Sequence, residues 1–190
     1  MPARITLISH AATLASRRAS FPLDEPVLDG ELGKIAATGW AIPRLQHVWS
    51  APEQRAQQTA KALGLKPSLS MELADVNYGT WSGKGIDEIQ ANDPEGLAAW
   101  LTDEDAAPHG GESFVQLIAR VGIWMKKQTD AGHTVAVTHP VVIRAAILCG
   151  LQAPAHSFWR IEVAPLSITD LRFNGRLWTV RSMGCSLYRS

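Results

Sequence analysis

The stretch "ITLISHAAT", Ile5 to Thr13, joins a strand to a catalytic residue type within a few positions. Ile5-Thr6-Leu7-Ile8 is short, apolar and β-branched, the pattern of a strand buried on both faces, and it stops at Ser9-His10-Ala11. A second stretch repeats the arrangement. "TVAVT", Thr134 to Thr138, runs straight into His139-Pro140 and then an apolar helix pattern from Val141 to Cys149, with Pro140 suited to a first helical turn. Two buried strands that each end in a histidine at a turn towards a helix place both imidazoles at the carboxyl edge of a sheet. Open α/β sheets bind their ligands at that edge.

Outward from these strands the same alternation continues. Leu45 to Trp49 reads as another strand, and Ala51-Pro52 opens a helix that runs to Leu63 with Gly64 as its C-terminal cap. Arg55 lies one turn into that helix, near the edge that carries His10 and His139, and a cation beside two imidazoles suits a phosphoryl group. Helical signals also span Asp29 to Thr38, closed by Gly39, and the longest helix starts at Ser113 with Gln116 as its capping-box partner. Leu117, Val121 and Trp124 give that helix its apolar face, and Gly132 marks its expected end. Trp159 to Val163, Ser167 to Phe173 and Leu177 to Ser182 read as strands, with Asn174-Gly175 as a hairpin turn. The expected architecture is a three-layer α/β sandwich with a mostly parallel central sheet, one domain over residues 1–190. The turn-rich segment from Leu69 to Gly83 and the broken amphipathic pieces from Ile86 onward set residues 86–112 apart as a cap or insertion over the active site.

Composition narrows the function classes. Lys plus Arg and Asp plus Glu both number 18 among 190 residues, so no global field recruits nucleic acid or an anionic membrane. Anion specificity therefore has to be local. Cys149 and Cys185 follow no metal-ligand or redox spacing and read as reduced thiols. The apolar run before His10 is too short for a signal-peptide core, and no stretch approaches a membrane span, so a soluble cytoplasmic protein is expected.

Five motifs, taken in order, carry a resemblance to the histidine phosphatase superfamily, the phosphoglycerate mutase-like proteins. "LISHAAT" resembles Leu-Ile-Arg-His-Gly-x-Thr, "SAPEQRAQQTA" resembles Ser-x-x-x-Arg-Ala-x-Gln-Thr-Ala, and "DVNYGTWSG" resembles Glu-x-x-x-Gly-x-Trp-x-Gly. "HGGESFVQL" is similar to the Gly-Glu-Ser helix start, and "VAVTHPVVIRA" to Val-Ser-His-Gly-x-x-Ile-Arg. The resemblance implies a phosphoglycerate mutase-like fold and a phosphomonoesterase that works through a phosphohistidine, without metal or cofactor, on a small phosphorylated metabolite. It makes His10 the nucleophile, has His139 hydrogen-bond the phosphoryl oxygens, Arg55 neutralise their charge and Asp75 act as the general acid. Glu72 and Asp87 are rivals for the acid role. Thr13, Glu112 and Pro140 fall in the same motifs and are candidate substrate contacts.

The chain departs from those motifs at Ser9 in place of arginine, Ala11 in place of glycine and Pro140 in place of a second glycine. Ser9 matters most. A hydroxyl replaces a bidentate, charge-assisted contact with one weaker hydrogen bond, a loss of about 2–4 kcal/mol of transition-state stabilisation if nothing compensates. Arg17 and Arg18, a turn beyond Thr13, and Arg144, one turn into the helix after His139, are the candidate replacements. Two rival readings follow from the same residues: a non-catalytic phosphate-binding relative, and a phosphoglycerate mutase. His47, His133 and His156 show no metal-ligand spacing and read as surface or packing residues, while His109 borders a pocket motif. Trp49, Trp124 and Trp159 are expected in the core, with Trp81 and Trp100 over the pocket. The acidic and small residues of "WLTDEDAAPHGGES" disfavour a highly anionic substrate. Oligomeric state is not legible in the sequence.

Overall fold

The computed structural model describes residues 3–40, 45–130 and 132–187. Six strands form one sheet: β1 (Arg4–Ser9), β2 (His47–Ser50), β3 (Ser68–Leu69), β4 (His133–Thr138), β5 (Ser167–Phe173) and β6 (Trp178–Ser186). Their order across the sheet is β3-β2-β4-β1-β5-β6. The β3-β2, β2-β4 and β4-β1 pairs are parallel, and β5 joins antiparallel to both β1 and β6. β1 and β4 are buried along all but their first residue, so both faces of the central sheet are covered, as a parallel sheet requires.

Among the described residues seven α-helices supply the cover: α1 (Leu14–Arg18), α2 (Glu31–Ala37), α3 (Gln54–Ala62), α4 (Ile86–Asn92), α5 (Pro94–Thr102), α6 (Phe114–Lys126) and α7 (Pro140–Leu151). α2 packs on α3 and α6 packs on α7. α7 is apolar nearly all round because it lies between the sheet and α6, with Val142, Ile143, Ala146 and Ile147 all buried. α6 starts with the anticipated capping box, in which Ser113 Oγ accepts the Gln116 N–H and the Gln116 side chain accepts the Ser113 N–H.

Three expectations change. Trp159 to Val163 is no strand: Ala155–Arg160 forms a 3-10 turn, and Ile161 and Val163 then turn inward from an extended segment that pairs with nothing in the sheet. The alternation there reports burial rather than pairing. Trp159 is 39% exposed instead of core, lying across Arg144 and Phe158. Leu69, read as the start of a turn-rich run, instead forms with Ser68 a short parallel edge strand beside β2. The hairpin at Asn174 forms as anticipated: its Oδ1 accepts the N–H groups of Arg176 and Leu177, and Gly175 adopts the positive φ (95°) that the turn needs.

Candidate active site

The carboxyl ends of β1 and β4 lie side by side, in a register that pairs Ser9 with Thr138, so the next residues, His10 and His139, meet at the sheet edge. Their rings stand edge to face with centroids 5.1 Å apart. β2 delivers Ala51 to Gln54 at the same edge, and α3 then carries Arg55 inward, where it is almost fully buried. β3 leads through a 3-10 turn at Met71–Leu73 to Asp75. Four separate strand ends thus converge, and no two of these side chains belong to the same element.

His10 Nδ1 lies 2.7 Å from the Ala11 carbonyl oxygen, which only accepts, so Nδ1 carries the proton and Nε2 keeps a lone pair. Burial, then the neighbouring charges of His139 and Arg55, push the His10 pKa down to about 3. At neutral pH the ring is an uncharged imidazole, the form that acts as a nucleophile. Arg55 Nη2 donates to Asp75 Oδ2 at 2.6 Å and Nη1 donates to the Leu23 carbonyl at 2.8 Å, which fixes the guanidinium in a fork. His139 is fully buried; its Nδ1 sits 3.4 Å from Asp75 Oδ2 and makes no hydrogen bond.

A cavity of about 140 Å³ opens over this cluster, lined by His10, Thr13, Arg55, Asp75, Tyr78 and Pro140, with Ser16 and Ser20 among the rest. Larger hollows lie elsewhere, beside Trp49 and Trp124 and beside Cys149 and Trp178, but neither gathers a comparable set of titratable groups. His139 stands directly behind the cavity wall. Ser9 is fully buried with an unpartnered hydroxyl and does not line the cavity. Arg17 and Arg18 are exposed on α1 and do not line it either. Arg144 lies against the faces of Phe158 and Trp159 at 5.6 and 5.4 Å. Arg55 is therefore the one guanidinium on the cavity wall among the described residues.

Glu112 turns away from the cavity. Its two carboxylate oxygens take a bidentate pair from Arg120 on α6 (2.8 and 2.7 Å), and Arg120 also donates to the carbonyls of Glu72 and Ala74 (2.9 and 3.1 Å). This guanidinium clamps the turn that presents Asp75. Glu72 pairs instead with Lys127 at the surface, and Asp87 is exposed on α4.

The segment 86–112 supplies no residue to the cavity wall, but it backs one. Trp100 and His109 join Phe21, Tyr78 and Trp81 in a cluster with ring centroids 5.2–6.3 Å apart. Trp81 and Trp100 accordingly stand behind Tyr78 rather than at the cavity surface. Thr80 N–H to the His109 carbonyl (2.9 Å) and Glu112 N–H to the Asn77 carbonyl (2.8 Å) bind this segment to the loop after Asp75. Gly79 makes the approach possible, at φ 48° and with room for no side chain: a Cβ would fall 2.0 Å from the His109 oxygen.

Glu53 was missed. It stands at the N-cap of α3, yet its side chain caps nothing there. Oε2 lies 2.7 Å from His139 Nε2, and Oε1 accepts the Asp75 N–H at 3.0 Å. An acidic residue between a strand end and Arg55 was the available signal, but an exposed helix start accounts for such a residue equally well. Cys149 and Cys185 are both free thiols. Among the described residues, no group of three or more His, Cys, Asp or Glu side chains is placed to hold a metal ion, and no helix is long and apolar enough to cross a membrane.

The mixed sheet brings two histidines, an arginine and a carboxylate to its carboxyl edge, which makes the chain an α/β protein with a candidate anion site. Comparison with known families makes the class definite: residues 5–186 match the model of the histidine phosphatase superfamily (branch 1), and the chain belongs to that family. The bifunctional protein Rv2228c of Mycobacterium tuberculosis is 30% identical over 92% of this chain; the match spans 52% of that relative, so this chain is about half its length. Glucosyl-3-phosphoglycerate phosphatase of Mycolicibacterium vanbaalenii is 30% identical over 75% of this chain and 68% of its own. Adenosylcobalamin/alpha-ribazole phosphatase of Salmonella typhimurium is 28% identical over 84% and 85%. The fold itself superposes on the alpha-ribazole phosphatase from Shigella flexneri, with a TM-score of 0.84 at 22% identity, covering 98% of each chain. Mycobacterial glucosyl-3-phosphoglycerate phosphatase Rv2419c with VO3 also has a TM-score of 0.84, at 23% identity, covering 97% of this chain and 100% of that one.

Proposed function

We propose that this chain hydrolyses the phosphate monoester of a small organic metabolite through a phosphohistidine at His10. The observation that carries the reading is the neutral His10 ring, its Nδ1–H held by Ala11 and its Nε2 lone pair left at a cavity wall that also holds Arg55 and Asp75. In the first displacement Nε2 attacks phosphorus as the bond to the ester oxygen breaks, and Asp75 gives that oxygen a proton. In the second, water attacks phosphorus, Asp75 takes back a proton, the P–N bond breaks, and inorganic phosphate leaves. Positioning and charge stabilisation do most of the work in such a transfer.

Arg55 has to serve two partners in turn. It is bound to Asp75 in this structure, and phosphoryl oxygens that take over its Nη2 release the carboxyl for proton transfer. With serine at position 9, no second guanidinium among the described residues shares the task at the cavity wall. This points to modest rates and to a substrate bearing one phosphate.

The substrate class is read from the wall and from relatives. Thr13, Ser16, Ser20 and the Tyr78 phenol offer hydroxyls around a small cavity, beside the apolar Pro22 and Val141. A hydroxylated organic group fits such a wall. Relatives named for glucosyl-3-phosphoglycerate, alpha-ribazole and phosphoserine phosphatase activities give the panel to assay first. Phosphate release from these esters is measured with EDTA present, for the wild-type protein and His10→Ala. Release by the first and loss of at least 100-fold in the second support the reading, whereas equal rates reject it. The weak cationic complement also favours a second reading, a phosphate-binding protein without turnover, for which the same panel gives binding and no release. Isomerisation of 3-phosphoglycerate without release would identify a mutase.

A further inference from the structure

The two carboxylate oxygens of Glu53 are both spent inside the site. One faces His139 Nε2 at 2.7 Å and the other accepts the Asp75 N–H at 3.0 Å, so Glu53 joins the second histidine to the backbone of the carboxylate opposite. His139 is completely buried, and a ring in that position is oriented by whatever its nitrogens bond to. Among the described residues the ring's one hydrogen bond is to Glu53, and Nδ1 is left beside Asp75 with none.

We propose that Glu53 is a positioning residue, whose carboxylate accepts the Nε2–H of His139 and so turns Nδ1 towards Asp75 and the phosphoryl site. The inference rests on the phosphatase reading for its consequence, but not for its structural content. Burial alone would raise the Glu53 pKa, but the hydrogen bond from His139 and that ring's charge, with the Asp75 N–H, hold it down to about 2. Glu53 is thus an anion, an acceptor only, throughout the working range. It can bond a protonated Nε2 and repels a bare one. A ring held in this way, with a proton on each nitrogen, can donate Nδ1–H to a phosphoryl oxygen, and Nδ1 is the buried nitrogen that otherwise lacks a partner and costs free energy for it. Positioning of a catalytic imidazole by a carboxylate on its far nitrogen follows the same logic in catalytic triads.

Glu53→Gln separates this role from mere packing. The amide keeps the size and one oxygen; with that oxygen on the Asp75 N–H, its NH₂ faces His139 Nε2 and demands a lone pair there instead of a proton. Ring-nitrogen NMR reads the result directly, with His139 assigned by its loss in His139→Asn. With orthovanadate bound, the wild-type protein should show a proton on both ring nitrogens of His139, with the Nδ1 resonance moving on titration; Glu53→Gln should lose the Nε2 proton and with it the positive charge of the ring. In the kinetic arm kcat on p-nitrophenyl phosphate should fall about 10- to 100-fold with KM altered less than about threefold. A protonated Nε2 retained in Glu53→Gln overturns the proposal. If the variant fails to fold, an unprotonated Nε2 in the wild-type protein overturns it alone, and a protonated one that responds to vanadate supports it. A wild-type protein that hydrolyses no ester defeats the proposed reaction, while the NMR arm still decides the role of Glu53.

Discussion

Folding commits His10 to the neutral form, and that commitment has to appear as a pH-dependent loss of stability. The ring's pKa falls from 6.5 to about 3 on burial beside His139 and Arg55. Between those values the unfolded chain binds a proton at His10 that the folded protein refuses, so the unfolded state binds more protons and stability falls as pH falls. Above pH 6.5 the effect vanishes, and it saturates near pH 3. From pH 7.5 to pH 5.0 the penalty amounts to about 2 kcal/mol. The assay is urea unfolding at those two pH values for the wild-type protein and His10→Asn. Glu53 and Glu72, held near 2, do not titrate in this window, and the lowered His109 and His133 contribute equally to both proteins. The wild-type protein should therefore lose about 2 kcal/mol more than the variant on acidification. An equal loss in the two would refute a buried, neutral His10.

Three other outcomes test separate parts of the structure. Arg55→Met leaves Asp75 without its 2.6 Å partner and should lower kcat/KM about 100- to 1,000-fold, with about 3 kcal/mol of stability lost, read by steady-state kinetics and urea titration. Gly79→Ala should destabilise by several-fold more than an ordinary surface change, about 2–4 kcal/mol, because its Cβ meets the His109 carbonyl and φ is positive; an unchanged urea midpoint would contradict that packing. Ser9→Ala removes a buried hydroxyl that bonds to nothing, so stability should hold or rise by about 1 kcal/mol with kcat/KM unchanged. A large loss of activity would instead make that hydroxyl a substrate contact.

The strand-histidine junctions were legible because both constraints act locally: β-branched apolar runs make buried strands, and the following residue inherits the sheet edge. The helix of Arg55, the capping box at Ser113 and the hairpin at Asn174 were legible for the same reason. What sequence could not supply was the direction of side chains brought together from distant segments. Glu112 sits in a motif beside the site, yet Arg120 draws it outward, and that pairing depends on how α6 packs beneath the turn at Met71–Leu73. Arg17 and Arg18 lie only a turn beyond Thr13 but face solvent. Glu53 looked like an ordinary helix start until β4 placed His139 within 2.7 Å of it. Trp159 to Val163 shows the converse error, a burial pattern without a neighbouring strand to pair with.

The central claim is that phosphorus becomes bonded to His10. Rapid quench with a ³²P-labelled ester that the protein turns over, followed by peptide mapping, tests it in one step. An acid-labile, base-stable phosphoryl group on the peptide containing His10, absent from His10→Ala, is the expected result. Full turnover of the ester with no phosphoryl group on that peptide at any quench time, and with His10→Ala equally active, would contradict it.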